Sequence, residues 1–266
     1  MSTTYDAPKG FDTVLEGVTY SAVQEITYES KTTGTVRKAN LLLPVNYDET
    51  KQYPVLYLLH GIGGDHNEWM GGEPAAVFGN LWAKGEAKEM IVVIPNVRAR
   101  ANDAGNPEDI YTPKHFEAFD NFINDLRDDL MPFIEKNYSV KTGRENTAIA
   151  GLSMGGRTSL YIGVTMPETF GYIGAFCPAP GVLAYTNFGI SSGGLFTKEA
   201  FTLPKDLKTF VMIVEGASDG VVTHFPKDYH EALADNGVEH VYYVTEGGHD
   251  FTVWKHGLYN FAKSIF

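Results

Sequence analysis

The chain has 266 residues, 43% hydrophobic and 20% charged, proportions ordinary for a soluble globular protein and enough to bury a large core. Its formal charge of −12 and its lack of Lys/Arg clusters set aside nucleic acid and anionic membrane surfaces as partners. A single cysteine, Cys177, rules out an intrachain disulfide; no Cys/His spacing resembles a metal site and H-E-x-x-H is absent, so neither metal nor cofactor is expected.

The opening "MSTTYDAPKGF" has no apolar leader region, which leaves a cytoplasmic protein or a secreted one whose signal has been removed. "EITYES" and "KANLLLPV" read as an antiparallel pair. After them come apolar strand patterns at "YPVLYLLHG", "EMIVVIPNV", "TAIAG", "YIGAFCP", "KTFVMIVEG" and "HVYYVTEGG". Several are apolar throughout, as strands covered on both faces should be. Between them lie amphipathic helical patterns over Phe116 to Asn137, with Pro132 expected to kink or restart it, and over about Arg157 to Met166, Lys227 to Asn236 and Val253 to the C-terminus. Alternating strands and helices imply a mostly parallel central sheet with helices on both faces, read here as one domain over residues 1–266. Functional residues belong at the carboxyl ends of its strands.

G-x-S-x-G occurs three times, around Ser153, Ser191 and Ser218. Only Ser153 stands between a strand, "TAIAG", and a helix, "GGRTSLYIGVTM", so only it sits on the sharp turn that lifts a hydroxyl to the sheet rim. "AYTNFGISSGGLF" around Ser191 reads as a loop, and no helix begins at Ser218. A serine hydroxyl needs a histidine base held by a carboxylate, following here in the order Ser, acid, His. His249 follows a strand on a Gly-Gly loop, whereas His230 and His256 lie in helices, His240 precedes a strand and His224 precedes a helix. Asp219 follows "TFVMIV", with Glu215 on the same strand as its main competitor. The oxyanion donors are expected to be the amides of Met154 and of Ile62 in "LLHGIGGDHNEW", where His60 reads as a scaffold residue. Cys177, in an apolar run, reads as an inert buried thiol.

Together "YLLHGIGGDHNEW", "AIAGLSMGG", "EGASDG" and "GGHDFTVWKHGLYNF" resemble the feruloyl esterases of carbohydrate esterase family 1, from about Gly10 to the C-terminus. The resemblance implies an α/β-hydrolase fold with Ser153 as nucleophile, Asp219 as acid, His249 as base, and the Ile62 and Met154 amides as oxyanion hole. It also implies release of hydroxycinnamates such as ferulate from plant cell-wall arabinoxylan. An acetylxylan esterase is the first alternative. An S-formylglutathione hydrolase is the second, against which Leu152 stands where that branch usually has histidine. A non-catalytic carbohydrate-binding protein is disfavoured by the complete Ser/Asp/His set. Trp69, Tyr111, Phe188 and Leu195 are candidates for the acyl slot. Arg98 and Arg100 fall in a loop more basic than expected, to contact a carboxylated sugar or pair with surface acids.

Overall fold

The computed structural model describes residues 5–105, 109–187 and 190–266. The chain opens with β1 (Gln24–Ser30) and β2 (Thr35–Leu42), paired antiparallel with Ser30 opposite Thr35. After β3 (Val55–Leu59), a 3-10 turn over Glu68–Gly72 leads into α1 (Pro74–Ala83) and then β4 (Ile91–Pro95). Helices α2 (Pro113–Asp120), α3 (Phe122–Asp125) and α4 (Met131–Asn137) follow. Then come β5 (Thr147–Leu152), α5 (Met154–Thr165), β6 (Tyr172–Phe176), β7 (Leu183–Asn187) and β8 (Ile190–Gly194). The chain finishes with β9 (Phe210–Gly216), α6 (Phe225–Asp235), β10 (Val241–Thr245) and α7 (Phe251–Ser264).

Eight strands form one sheet in the order β1-β2-β4-β3-β5-β6-β9-β10, antiparallel across β1-β2-β4 and parallel from β4 onward. Every residue of β3, β4 and β5 is buried, so their uninterrupted apolar runs answer to helices on both faces. Full burial of each Val, Leu or Ile there stabilises the fold by about 1.5–3 kcal/mol. Because β3, β5, β6, β9 and β10 run parallel, their carboxyl ends share one rim, where chemistry is expected.

Two elements depart from the sequence reading. The helix expected over Phe116 to Asn137 begins earlier, at Pro113, where the Thr112 side chain caps the His115 amide. It breaks at Asn121 and passes through a π-helical turn over Leu126–Leu130. The end of α3 and that turn dock on β1 and the bend after it: Tyr28 donates to Asp125 at 2.6 Å and the Thr32 amide to Asp129 at 2.9 Å. Pro132 falls just after that π-helical turn, inside an unbroken helical run over 122–137, so the irregular backbone ladder sits directly before the residue that cannot donate. The stretch around Ser191, read as a loop, is the hairpin β7–β8, closed across its strands by Thr186 and Ser191 hydroxyls 2.8 Å apart. β2 is tied to the loop after β4 and to α3 by fully buried Arg37, which donates to the Arg98 carbonyl at 2.8 Å and pairs with Asp125 at 3.2 Å.

Candidate active site

Ser153 lies between β5 and α5 with φ 52° and ψ −117°, a conformation costly for any residue with a side chain. The bend is tight enough that glycine is obligatory beside it. A Cβ on Gly151 would fall 2.5 Å from the Gly155 carbonyl carbon, and one on Gly155 would fall 2.6 Å from the His60 carbonyl oxygen. Hydrogen bonds then fix the turn, with the Ser153 amide donating to the Phe176 carbonyl at 2.9 Å and the Ser153 carbonyl accepting from Arg157 and Ala179, each at 3.0 Å. Because the obstacle is backbone, Gly155→Ala should destabilise the protein by about 3 kcal/mol, the upper end for overpacking. Chemical denaturation of the purified variant measures this, and a loss under about 1 kcal/mol would mean the elbow yields easily.

His249, on the Gly247-Gly248 loop between β10 and α7, places Nε2 2.9 Å from Ser153 Oγ. Its Nδ1 lies 2.8 Å from Asp219 Oδ2. A carboxylate only accepts, so Nδ1 carries the proton and Nε2 offers its lone pair to the serine hydroxyl. The other Asp219 oxygen accepts from the Val221 and Val222 amides at 2.9 and 3.0 Å. Burial pushes the Asp219 carboxyl up, but the His249 hydrogen bond and charge and these two amides outweigh it, holding the group below its ordinary value. Acid and base loops are stitched together by the Ala217 amide on the Thr245 carbonyl at 2.8 Å and the Ser218 amide on Gly247 at 2.9 Å. The Trp254 ring stands edge-on to the imidazole, centroids 5.1 Å apart.

The competitors are engaged elsewhere. Glu215 takes the Tyr242 hydroxyl, His224 pairs with Asp228 at 2.6 Å, His230 and His240 bond each other at 2.7 Å, and His256 meets the Tyr243 hydroxyl at 3.2 Å. Ser191 lies on β8, and Ser218 on the exposed acid loop. Neither meets a histidine ring among the described residues.

At the carboxyl end of β3, three successive peptides are held. The His60 ring accepts the Val97 amide on Nε2 at 2.8 Å, so its proton is on Nδ1 and donates to the Gly61 carbonyl at 2.7 Å. Burial and the nearby Arg98 charge push His60 down to about 3, so it stays a neutral donor. His115 Nε2 donates to the Ile62 carbonyl at 2.7 Å. A trans peptide turns the Ile62 N–H opposite the anchored Gly61 carbonyl, and that N–H meets no protein acceptor among the described residues. The Met154 amide opens α5, where the first amides lack intrahelical acceptors. The Met154 amide is next to Ser153 in the chain, and Gly61, the residue before Ile62, packs against the serine, a built Cβ on it falling 3.4 Å from Ser153 Cβ.

The expected acyl-slot residues fare less well. Trp69 is fully buried, its indole donating to the Leu59 carbonyl at 2.9 Å and its ring packed edge-on against Phe176 and Phe251, so it offers a ligand no surface. Tyr111 is 72% exposed just before α2. Leu195 is half-buried, its amide fixed to the Gly181 and Val182 carbonyls. Phe188 lies outside the described residues. Arg98 is buried and donates to the Gly64 and Asp103 carbonyls, so it holds backbone in place of a sugar or a surface acid, while Arg100 pairs with Asp109 at 2.6 Å. Burial pushes the Cys177 thiol up, in keeping with an inert residue. Donor atoms of Cys177, Asp219 and His249 lie within 4.8 Å of one another, but the latter two are committed to each other and the thiol is held protonated. Sequence reasoning missed His115 and Glu68, whose roles depend on loop contacts and carry no spacing signal.

The Esterase family model matches residues 30–196. The endo-1,4-β-xylanase/feruloyl esterase of Xylanibacter ruminicola is 32% identical over 256 residues, which cover 94% of this chain and 32% of that protein. The chain spans a third or less of the curated relatives it first matches, the other being endo-1,4-β-xylanase Y of Acetivibrio thermocellus. A carbohydrate esterase family 1 ferulic acid esterase from Anaeromyces mucronatus, solved with ferulic acid, superposes with a TM-score of 0.93 at 40% identity, covering 100% of this chain and 98% of its own. An S-formylglutathione hydrolase from Staphylococcus aureus, with a TM-score of 0.63 at 19% identity over 91% of this chain and 97% of its own, shares the fold.

Proposed function

The chain belongs to the esterase family, within carbohydrate esterase family 1, and we propose that it is a serine feruloyl esterase, a carboxylic-ester hydrolase that frees hydroxycinnamates from plant cell-wall arabinoxylan. The observation that carries this reading is the unbroken chain of hydrogen bonds from Ser153 through His249 to Asp219, at 2.9 and 2.8 Å. In the proposed reaction Ser153 Oγ attacks the ester carbonyl while His249 Nε2 takes its proton, and Asp219 stabilises the imidazolium that forms. The tetrahedral oxyanion is received by the Ile62 and Met154 amides, each contributing about 3 kcal/mol to lowering the barrier. His249 then protonates the leaving sugar alcohol, and water activated by the same imidazole releases the acid. The likeness to a ferulate-bound esterase at 40% identity supports the hydroxycinnamoyl acyl group over acetyl. The extended apolar core shared by the described residues supports the reading as one catalytic domain.

Comparing methyl ferulate with acetylated xylan tests the acyl preference. The expected result is turnover of methyl ferulate with kcat/KM of about 10⁴ M⁻¹ s⁻¹ or more and at most slow acetate release. Acetate release without ferulate release would replace this reading with an acetylxylan esterase.

A further inference from the structure

We infer that Glu68 is a positioning residue of the oxyanion hole, its carboxylate holding the Gly61 amide so that the next amide, Ile62, stays turned toward the serine. The inference deepens the esterase reading above and rests on it.

Glu68 opens the 3-10 turn after the loop, and its Oε2 accepts the Gly61 amide at 2.6 Å, a short charge-assisted bond. The bond is made against Ser153. A Cβ placed on Gly61 would lie 3.3 Å from Glu68 Oε2 and 3.4 Å from Ser153 Cβ. It completes the anchoring of the loop. The peptide before Gly61 is held by Glu68 through its N–H, the peptide after it by His60 through the Gly61 carbonyl, and the following one by His115 through the Ile62 carbonyl. Arg98 holds the Gly64 carbonyl further along. With these groups fixed, the Ile62 N–H has one direction left.

The local sequence is arranged around this carboxylate. A Cβ on Gly64 would come within 2.5 Å of Glu68 Cδ, so the second glycine of the Gly63-Gly64 pair makes room for the side chain to fold back under the loop. Burial holds the Glu68 carboxyl above its ordinary value, and the Gly61 amide and the Arg98 charge offset part of that rise. A glutamate that served only to solubilise the turn would have no cause to reach back seven residues into a half-buried space.

The test uses p-nitrophenyl acetate as probe, with melting temperatures measured in parallel for Glu68→Ala, Glu68→Gln and Glu68→Asp. Removing an oxyanion donor outright costs about 10²–10³ in kcat, so loosening one should lower kcat about 10–100-fold in Glu68→Ala, with KM within about twofold. Glu68→Gln keeps an oxygen that accepts from Gly61 and should return to within about fivefold of wild type. Glu68→Asp, one methylene short, should lose kcat while folding normally, which keeps the test decisive if the alanine variant does not fold. Wild-type kcat in Glu68→Ala or Glu68→Asp overturns the inference, as does an equal loss in Glu68→Gln and Glu68→Ala. A wild-type enzyme that ignores methyl ferulate yet shows this pattern overturns the feruloyl reading alone. A wild-type enzyme inactive on both esters overturns both.

Discussion

Ser153→Ala is expected to lower kcat for ester hydrolysis about 10⁶-fold while moving the melting temperature by no more than about 3 °C. The two halves of that result have separate causes. The hydroxyl is the attacking atom, so without it acylation must proceed by direct attack of water, aided only by the oxyanion amides and substrate binding. The fold scarcely notices, because alanine occupies the same strained φ of 52° at the same cost as serine, and only the bond to His249 is lost. Net loss of such a bond is about 1 kcal/mol. Full residual activity would move the nucleophile to Ser191 or Ser218, neither of which has an imidazole beside it among the described residues.

Asp219→Asn should cost about 10⁴ in kcat with little change in KM. The shape is preserved, and the Asn oxygen can still accept from Val221 and Val222. The hydrogen-bond sense reverses, however. An Asn amide facing His249 donates to Nδ1, which forces the ring proton onto Nε2, where it meets the serine hydroxyl as donor to donor. The same substitution has a pH signature in stability. The Asp219 carboxyl is held below its ordinary value, so the charged group contributes stability that is fully present above about pH 3.9 and is lost as the pH falls through its lower folded value. The difference in melting temperature between wild type and Asp219→Asn should therefore narrow as the pH drops below about 4. A gap that widens in acid would mean that the carboxyl is not stabilised in its ionised form.

That Ser153, Asp219 and His249, the proposed nucleophile, acid and base, come together is legible in the sequence because each follows from a pattern carried by neighbouring residues. Ser153 is marked by a strand before it and a helix after it, Asp219 and His249 by strands that end just upstream. The parallel sheet follows from β-type runs that are apolar at every position. What stayed hidden depends on contacts distant in sequence. Trp69 is a large aromatic near the reactive loop, which suits an acyl slot as well as a core, and only its burial between Phe176 and Phe251 decides. Arg98 looks like a surface cation, since nothing local shows that it is buried under the Gly64 carbonyl. The hairpin β7–β8 reads as a loop from sequence because its glycines and serines are poor strand formers, and the cross-strand pairing that holds it is invisible along one strand. The π-helical turn likewise answers to β1, which lies far upstream.

Every step above depends on one hydroxyl, activated by one imidazole, at the rim of the sheet. Diisopropyl fluorophosphate reacts with serine hydroxyls so activated, and peptide mass spectrometry reports where it lands. A single stoichiometric adduct on the peptide bearing Ser153, formed in step with the loss of esterase activity and slowed by Asp219→Asn, is the predicted outcome. An adduct on Ser191 or Ser218, or an enzyme that remains fully active once Ser153 is labelled, would contradict it.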